Sequence, residues 1–226
     1  MGGILSLMRR LFPHPADGLS VRECYDVPRP RPDDRPWVAL CMVSGLDGST
    51  VVDENSRRLS NPVDQEVLLT LRSLVDMVIV GATTVRTEGY GPPRTPGLRI
   101  AVVSRTGDFD FGQPLWTSGR AVLVLPERAP EVPVPSVRAG VDDVDLAAAL
   151  AQLDANTVQA EGGATLNGAL AAADLIDELN LTISPQFTGG TGPRLTHGAP
   201  PVAHRMDLAH VLEDDGFLFT RWVRQR

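Results

Sequence analysis

Three short stretches carry the residue types that grip phosphate. Glu161-Gly162-Gly163-Ala164-Thr165 lies between an apolar run and a helical pattern. Paired glycines there let backbone amides approach an anion while a helix N-terminus attracts it. The geometry suits a dinucleotide pyrophosphate; an ordinary glycine-rich turn reads the same way, and the spacing is not the G-x-G-x-x-G fingerprint. Ser104-Arg105-Thr106 follows another apolar run, at the strand end where open α/β sheets bind ligands. Guanidinium binds phosphate bidentately and hydroxyls donate to its oxygens, so this trio can hold an adenosine 2′-phosphate and favour NADPH over NADH; a solvated turn is the alternative. Gly81-Ala82-Thr83-Thr84-Val85-Arg86 supplies a third strand end with two hydroxyls. Asp47 sits in the turn after the first strong strand pattern. A carboxylate there can hydrogen-bond a ring nitrogen or steer a proton, or simply make an Asp-Gly turn.

Strands and helices must bring these stretches together. WVALCMVSG from Trp37, MVIVG from Met77, RIAVVS from Arg99 and RAVLVL from Arg120 are apolar runs bounded by glycine or proline, the pattern of buried strands. Asn61-Pro62 starts a helix over about 61 to 75, with Val67, Leu68, Leu71 and Leu74 at helical spacing. A second helix lies within Asp142 to Leu153, and TVQAEGG, ATLNGALAAADLIDE and LNLTISP continue the strand-helix alternation. Such alternation implies an α/β fold with a mostly parallel central sheet flanked by helices. Asp215-Gly216 separates two strand-like runs and reads as a C-terminal β-hairpin. The proline-rich PRPRPDDRP from Pro28 cannot nucleate a helix. Residues 1–35 therefore read as a leader, partly extended or disordered, and 36–226 as the folded domain. Glu127 to Pro135 reads as a loop.

Composition removes several classes. The chain has 226 residues and a formal charge of −7, which fits one domain and offers no basic footprint for nucleic acid or an acidic membrane. All 21 cationic residues are arginine, so lysine Schiff-base chemistry and Walker-type phosphate loops lack their essential group. Two cysteines, Cys24 and Cys41, are too few for a disulfide scaffold and read as a reducing cytoplasm. The four histidines show no metal-site spacing, so no metal is expected. The start lacks an apolar run long enough to span a bilayer. Met1-Gly2 with Ser6 matches a myristoylation pattern, and Asn180-Leu181-Thr182 a glycosylation sequon; both read as chance.

Ser44-Gly45-Leu46-Asp47-Gly48, Asp76 to Arg86, Glu161 to Leu166 and Asp177-Glu178-Leu179, in that order and spacing, resemble the reductase domain of bacterial RibD-type riboflavin biosynthesis proteins over roughly residues 36 to 224. The resemblance implies a dihydrofolate-reductase-like fold, a homodimer, and NADPH reducing the ribosyl group of an aminopyrimidine phosphate to ribityl. It implies that Gly81, Thr83 and Thr84 line the cofactor and that Ser104 and Arg105 face its adenosine phosphate. Gly162, Gly163, Ala164 and Thr165 would hold its pyrophosphate, with Glu161 in the same cofactor-binding stretch. Asp47 is the catalytic candidate; Ser44, Arg86 and Arg94 are the substrate candidates. The family often has lysine after the Asp-Gly pair, where this chain has Ser49, and a DP-containing loop where this chain reads TEGYGPPR. The H-x-E and P-C-x-x-C pair of a zinc deaminase is absent from the sequence, so a separate enzyme would supply the deaminated substrate. Two other readings remain open at this point: a dihydrofolate-reductase-like enzyme for another heterocycle, and a non-catalytic NADPH-binding regulator.

Overall fold

A computed structural model of the chain describes residues 7–53 and 55–225, so the Met1-Gly2 to Ser6 pattern lies outside the described residues. The described chain opens on an antiparallel pair, β1 (Leu7–Phe12) and β2 (Ala16–Ser20), and a short helix, α1 (Val21–Tyr25). This part of the leader, which the sequence reads as partly extended or disordered, forms paired strands and a short helix. Arg9 and Arg10, which break the apolar pattern, are strand residues, and Arg9 pairs with Glu213 at 3.1 Å directly across the ladder. Ser20 and Glu23 cap α1 reciprocally. Met8, Val21 and Tyr25 are buried. The proline-rich part that follows carries no helix or strand. Two buried ion pairs fasten it: Arg29 to Glu178 at 2.8 Å and Arg35 to Asp177 at 2.6 Å.

The chain continues as β3 (Trp37–Ser44), a 3-10 turn (Arg57–Leu59), α2 (Pro62–Arg72), β4 (Met77–Gly81), α3 (Ala82–Glu88), β5 (Arg99–Val103), α4 (Pro114–Thr117) and β6 (Ala121–Leu125). There follow β7 (Ser136–Arg138), α5 (Leu146–Gln152), β8 (Thr157–Ala160), α6 (Ala164–Ala172), β9 (Glu178–Ile183), β10 (Met206–Asp214) and β11 (Phe217–Arg224). The Asn61 side chain accepts from the Asp64 amide at 2.8 Å and Pro62 takes the first helical position, so α2 begins where the sequence places it. It stops at Arg72, three residues before the expected end. The α6 helix also ends early, because Asp174 takes a left-handed φ of 51° that breaks the helix and frees the chain to enter β9.

Among the described residues one eleven-stranded sheet runs in the order β2-β1-β10-β11-β9-β3-β8-β4-β5-β6-β7. The seven strands from β9 to β7 are parallel; β11, β10, β1 and β2 extend that array antiparallel. Val78, Ile79 and Val80 are fully buried because helices cover both faces of the centre, which is why β4 reads as a continuous apolar run. On one face α5 and α6 pack through Leu146, Leu150, Leu166 and Leu170. On the other, α3 and α4 cover β4 to β6, while α1 and α2 cover the hairpin through Tyr25, Val67, Leu71 and Phe219. The β10–β11 hairpin turns at Asp215-Gly216, both with positive φ (46° and 79°), as a two-residue type I′ turn requires.

The far end of the sheet from the β-strand carboxyl ends holds a buried charge cluster. Burial raises a carboxyl, but at Glu178 the guanidiniums of Arg221 and Arg29 outweigh it and hold its value at about 2, below the ordinary 4.5. Burial and the Arg221 charge lower the His210 imidazole from 6.5 to about 4. In both cases the unfolded chain takes the proton first. Stability is therefore full above pH 6.5 and falls with acidification, through 6.5 to about 4 at His210 and through 4.5 to about 2 at Glu178. Urea unfolding across this range is expected to lose the upper part of the decline in His210→Asn and the lower part in Glu178→Gln.

Candidate active site

After β3 the chain crosses through α2 to β4 and leaves a gap that β8 fills only later; after β8 it turns the other way, to β9. Connections that diverge in this way open a crevice at the strand carboxyl ends, the place where open α/β sheets take ligands. Here the crevice is a cleft of about 1670 Å³. Roughly 300–1,000 Å³ suits one small ligand, so this cleft has room for a dinucleotide and a second molecule.

Ten of the residues singled out in the sequence line it together: Gly81, Thr83 and Thr84 at β4 and α3, Arg94 in the following loop, Ser104 and Arg105 after β5, and Glu161, Gly163, Ala164 and Thr165 at β8 and α6. The approach of β4 to β8 is close. The Gly81 amide donates to the Gly162 carbonyl at 2.7 Å, and a Cβ on Gly163 would stand 2.9 Å from the Thr84 hydroxyl. Gly162 itself has φ +84°, and its peptide bond to Gly163 is cis. No side chain caps α6 at Gly163. The first-turn amides of that helix have no intrahelical acceptor, and Gly163, Ala164 and Thr165 line the cleft, where such amides can serve as anion donors. Ser104 is buried, its Oγ accepting from the Gly107 amide at 3.0 Å, whereas Arg105 is exposed and only loosely paired with Asp143, at 3.9 Å.

Four candidates do not join the lining. Gly162 lies behind it, against Met42. Ser44 is buried in β3, its carbonyl accepting from the Ser184 amide at 2.8 Å. Arg86 turns away, donating to the Asp108 carbonyl at 2.7 Å with its guanidinium 4.6 Å from the Phe109 ring centroid. Asp47 holds loops together: its Oδ2 accepts from the Thr188 hydroxyl at 2.8 Å and from the Gly189 amide at 2.7 Å. The Thr188 hydroxyl and the backbone amides hold its carboxyl below the ordinary value. The loop it fixes runs on to α6, where the His197 amide donates to the Ala164 carbonyl at 2.9 Å and the Asn167 amide group donates to the Leu195 carbonyl at 2.8 Å.

Sequence reasoning missed the opposite wall. Asp64, Leu68 and Arg72 line the cleft from α2 at a spacing of four, a stripe that shares only Leu68 with the apolar pattern read from the sequence. Arg72 forks onto Glu161, Nε to Oε1 at 2.7 Å and Nη2 to Oε2 at 2.6 Å. The Tyr90 hydroxyl donates to Oε2, and the Gln159 side chain to Oε1 at 2.8 Å. Four donors thus meet one buried carboxylate and tie β8, α2 and the loop after α3 into a single wall. Burial, then the Glu161 charge, pushes the Tyr90 phenol well above its ordinary value.

Comparison with known proteins agrees with this architecture. Residues 36–218 match the family described as RibD C-terminal domain. Enzymes named 2,5-diamino-6-ribosylamino-4(3H)-pyrimidinone 5′-phosphate reductase are similar in sequence. That of Methanothermobacter thermautotrophicus is 29% identical over 71% of this chain and 82% of its own length; that of Aquifex aeolicus is 24% identical over 84% and 96%. Among solved structures, a pyrimidine reductase-like protein from Corynebacterium diphtheriae superposes with a TM-score of 0.76 at 20% identity, covering 85% of this chain and 93% of that one. Enterococcus faecalis dihydrofolate reductase gives 0.52 at 13% identity, over 84% and 97%. The fold is therefore dihydrofolate-reductase-like.

Removing one partner of a buried ion pair leaves a charge without compensation, at a cost of about 3–5 kcal/mol. Arg72→Met is expected to lose stability on that scale in urea unfolding. Tyr90→Phe removes one of four donors and is expected to lose about 1–2 kcal/mol.

Proposed function

This chain belongs to the RibD C-terminal domain family, and on that premise we propose that it is an NADPH-dependent reductase converting the ribosyl group of an aminopyrimidine phosphate to ribityl, a step of riboflavin biosynthesis. The observation that carries the reading is the crevice between β3 and β4, in which the Gly81–Gly162 contact, the uncapped α6 and the Ser104-Arg105 strand end converge. The activity for which the similar enzymes are named supports it.

The residues fit such a cofactor. A side chain at Gly163 would fill the place between α3 and α6 where a pyrophosphate can approach, and Thr84 already stands at its limit. In this reading Gly163, Ala164 and Thr165 hold the pyrophosphate, Gly81, Thr83 and Thr84 form its opposite wall, and Ser104 with Arg105 takes the adenosine 2′-phosphate. NADPH, when bound, supplies the hydride. The wall of α2, Glu161 and Tyr90 then borders the pyrimidine and its sugar, with Arg94 and Arg57 at the rim as cations for the sugar phosphate. Glu161 serves this reading as the pin of that wall and Asp47 as the pin of the loop over α6. The same reading takes the protein to be a cytoplasmic homodimer.

The test is loss of NADPH absorbance with purified protein, given 2,5-diamino-6-ribosylamino-4(3H)-pyrimidinone 5′-phosphate, its deaminated counterpart and, separately, dihydrofolate. Turnover of a pyrimidine phosphate but not of dihydrofolate is the expected result; turnover of dihydrofolate alone would refute the reading. Arg105→Ala is expected to weaken NADPH binding about tenfold while leaving NADH binding unchanged, as read by fluorescence titration of each nucleotide.

A further inference from the structure

Arg86, Arg94 and Arg105 are the arginines that the sequence marks for ligand contact, and Arg86 alone stays out of the cleft lining. Its side chain is engaged elsewhere. From the last turn of α3 its Nη2 donates to the Asp108 carbonyl at 2.7 Å, and its guanidinium carbon lies 4.6 Å from the centroid of the Phe109 ring. Phe109 in turn packs on Trp116, with ring centroids 4.8 Å apart. A guanidinium that donates along its edge and also lies over a ring is fixed in both place and plane.

What Arg86 grips is the turn that carries Arg105. The inner side of that turn is held by Ser104, whose Oγ accepts from the Thr106 and Gly107 amides at 3.3 Å and 3.0 Å. Gly107 is buried at φ +66°, and a Cβ there would stand 3.0 Å from Cγ1 of Val132. Arg86 holds the outer side, through the carbonyl and the ring that follow Gly107. Between the two anchors the Arg105 side chain extends into solvent; Asp143 is 3.9 Å away, and the two side chains are 79% and 78% exposed, so this pair restrains little. The same short helix that ends in Arg86 puts Thr83 and Thr84 on the cleft wall.

Resting on the reading in which Ser104 and Arg105 take the adenosine 2′-phosphate, we infer that Arg86 is a positioning residue for the choice between NADPH and NADH. It holds the Ser104 to Asp108 turn against α3, so that Arg105 meets the 2′-phosphate while the pyrophosphate lies beside Thr83 and Thr84. Arg86 itself touches neither nucleotide nor substrate. The pyrophosphate and the 2′-phosphate are joined through one ribose, so their anchors must keep a set separation. Helix α3 sets it, with Thr84 on one side and Arg86 on the other. A long side chain on a loose turn would bind its phosphate only after the turn is ordered. That cost falls on NADPH alone, because NADH has no group there. Removing Arg86 therefore alters the preference between the two nucleotides rather than nucleotide binding in general.

The experiment is fluorescence titration of NADPH and, separately, NADH with the unaltered protein, Arg86→Ala, Arg105→Ala and the double variant. Arg86→Ala should weaken NADPH binding about fivefold, less than Arg105→Ala does, and leave NADH binding as it is. Phe109→Leu removes the ring beneath the guanidinium while keeping an apolar contact on Trp116, and should shift NADPH in the same sense. In the double variant Arg86→Ala should add nothing to the loss that Arg105→Ala causes, because it acts through that side chain. Parallel weakening of NADH would overturn the role in favour of general support of the fold. Losses that add in the double variant would overturn it in favour of direct contact with the phosphate. NADPH affinity untouched by Arg86→Ala, in a protein where Arg105→Ala does weaken it, would leave Arg86 with no part in selection. Those three results bear on Arg86 alone. An Arg105→Ala variant that binds NADPH as tightly as the parent would instead overturn the 2′-phosphate assignment, and the role of Arg86 with it.

Discussion

A carboxylate buried at the end of a central strand must be met by donors, and in this protein that requirement shapes the cleft. Glu161 leaves β8 at the crevice, where its neighbours are apolar strands on either side. Its four hydrogen bonds draw in α2 through Arg72 and the loop after α3 through Tyr90. Buried polar groups are tolerated only when fully satisfied, so the helix that follows β3 and the loop that follows β4 are held at a set distance across the cleft. The glycines beyond Glu161 can then approach Gly81 without a side chain between them. The wall proposed for the substrate and the cradle proposed for a dinucleotide thus share one pin.

The sheet was legible wherever burial on both faces imposes an apolar run. β3, β4, β5 and β6 follow from that rule, β8 follows from the strand-helix alternation, and the hairpin follows from Asp215-Gly216. The convergence of the glycine-bearing strand ends was legible for a related reason: glycine and hydroxyl residues at strand ends mark close backbone approach, and Gly81, Thr84, Gly163 and Ser104 do line one cleft. What stayed hidden depends on partners remote in sequence. Arg9 looks like an interruption until Glu213 stands opposite it. Asp47 looks like a free carboxylate until Thr188 occupies it, and Arg86 like a spare cation until the Asp108 carbonyl and the Phe109 ring absorb it. Asp64 and Arg72 were visible as residues of a helix, but which side of that helix meets the cleft is decided by how α2 packs on β10 and β11.

The opposite end of the sheet is organised by a second set of buried charges. Glu178 opens β9 and receives Arg29 from the leader, Arg221 from β11 and the side chain of Asn180. Asp177, one residue earlier, receives Arg35 and the Val38 amide. A chain segment rich in proline makes few backbone hydrogen bonds, so two guanidinium pairs fix a course that the backbone itself cannot. That course delivers α1 onto α2, and through α2 the leader supports the wall that carries Asp64 and Arg72.

The first two strands also decide how the sheet ends. Without them β10, nine residues long, would present an open row of amides and carbonyls. A long exposed edge is a template for another chain. With them in place the outermost strand is β2, five residues with Gly18 at positive φ near its middle, and the opposite border is β7, only three residues long. Both margins are too short or too uneven to recruit a further strand, so the extension at the start of the chain works as a guard against intermolecular sheet growth.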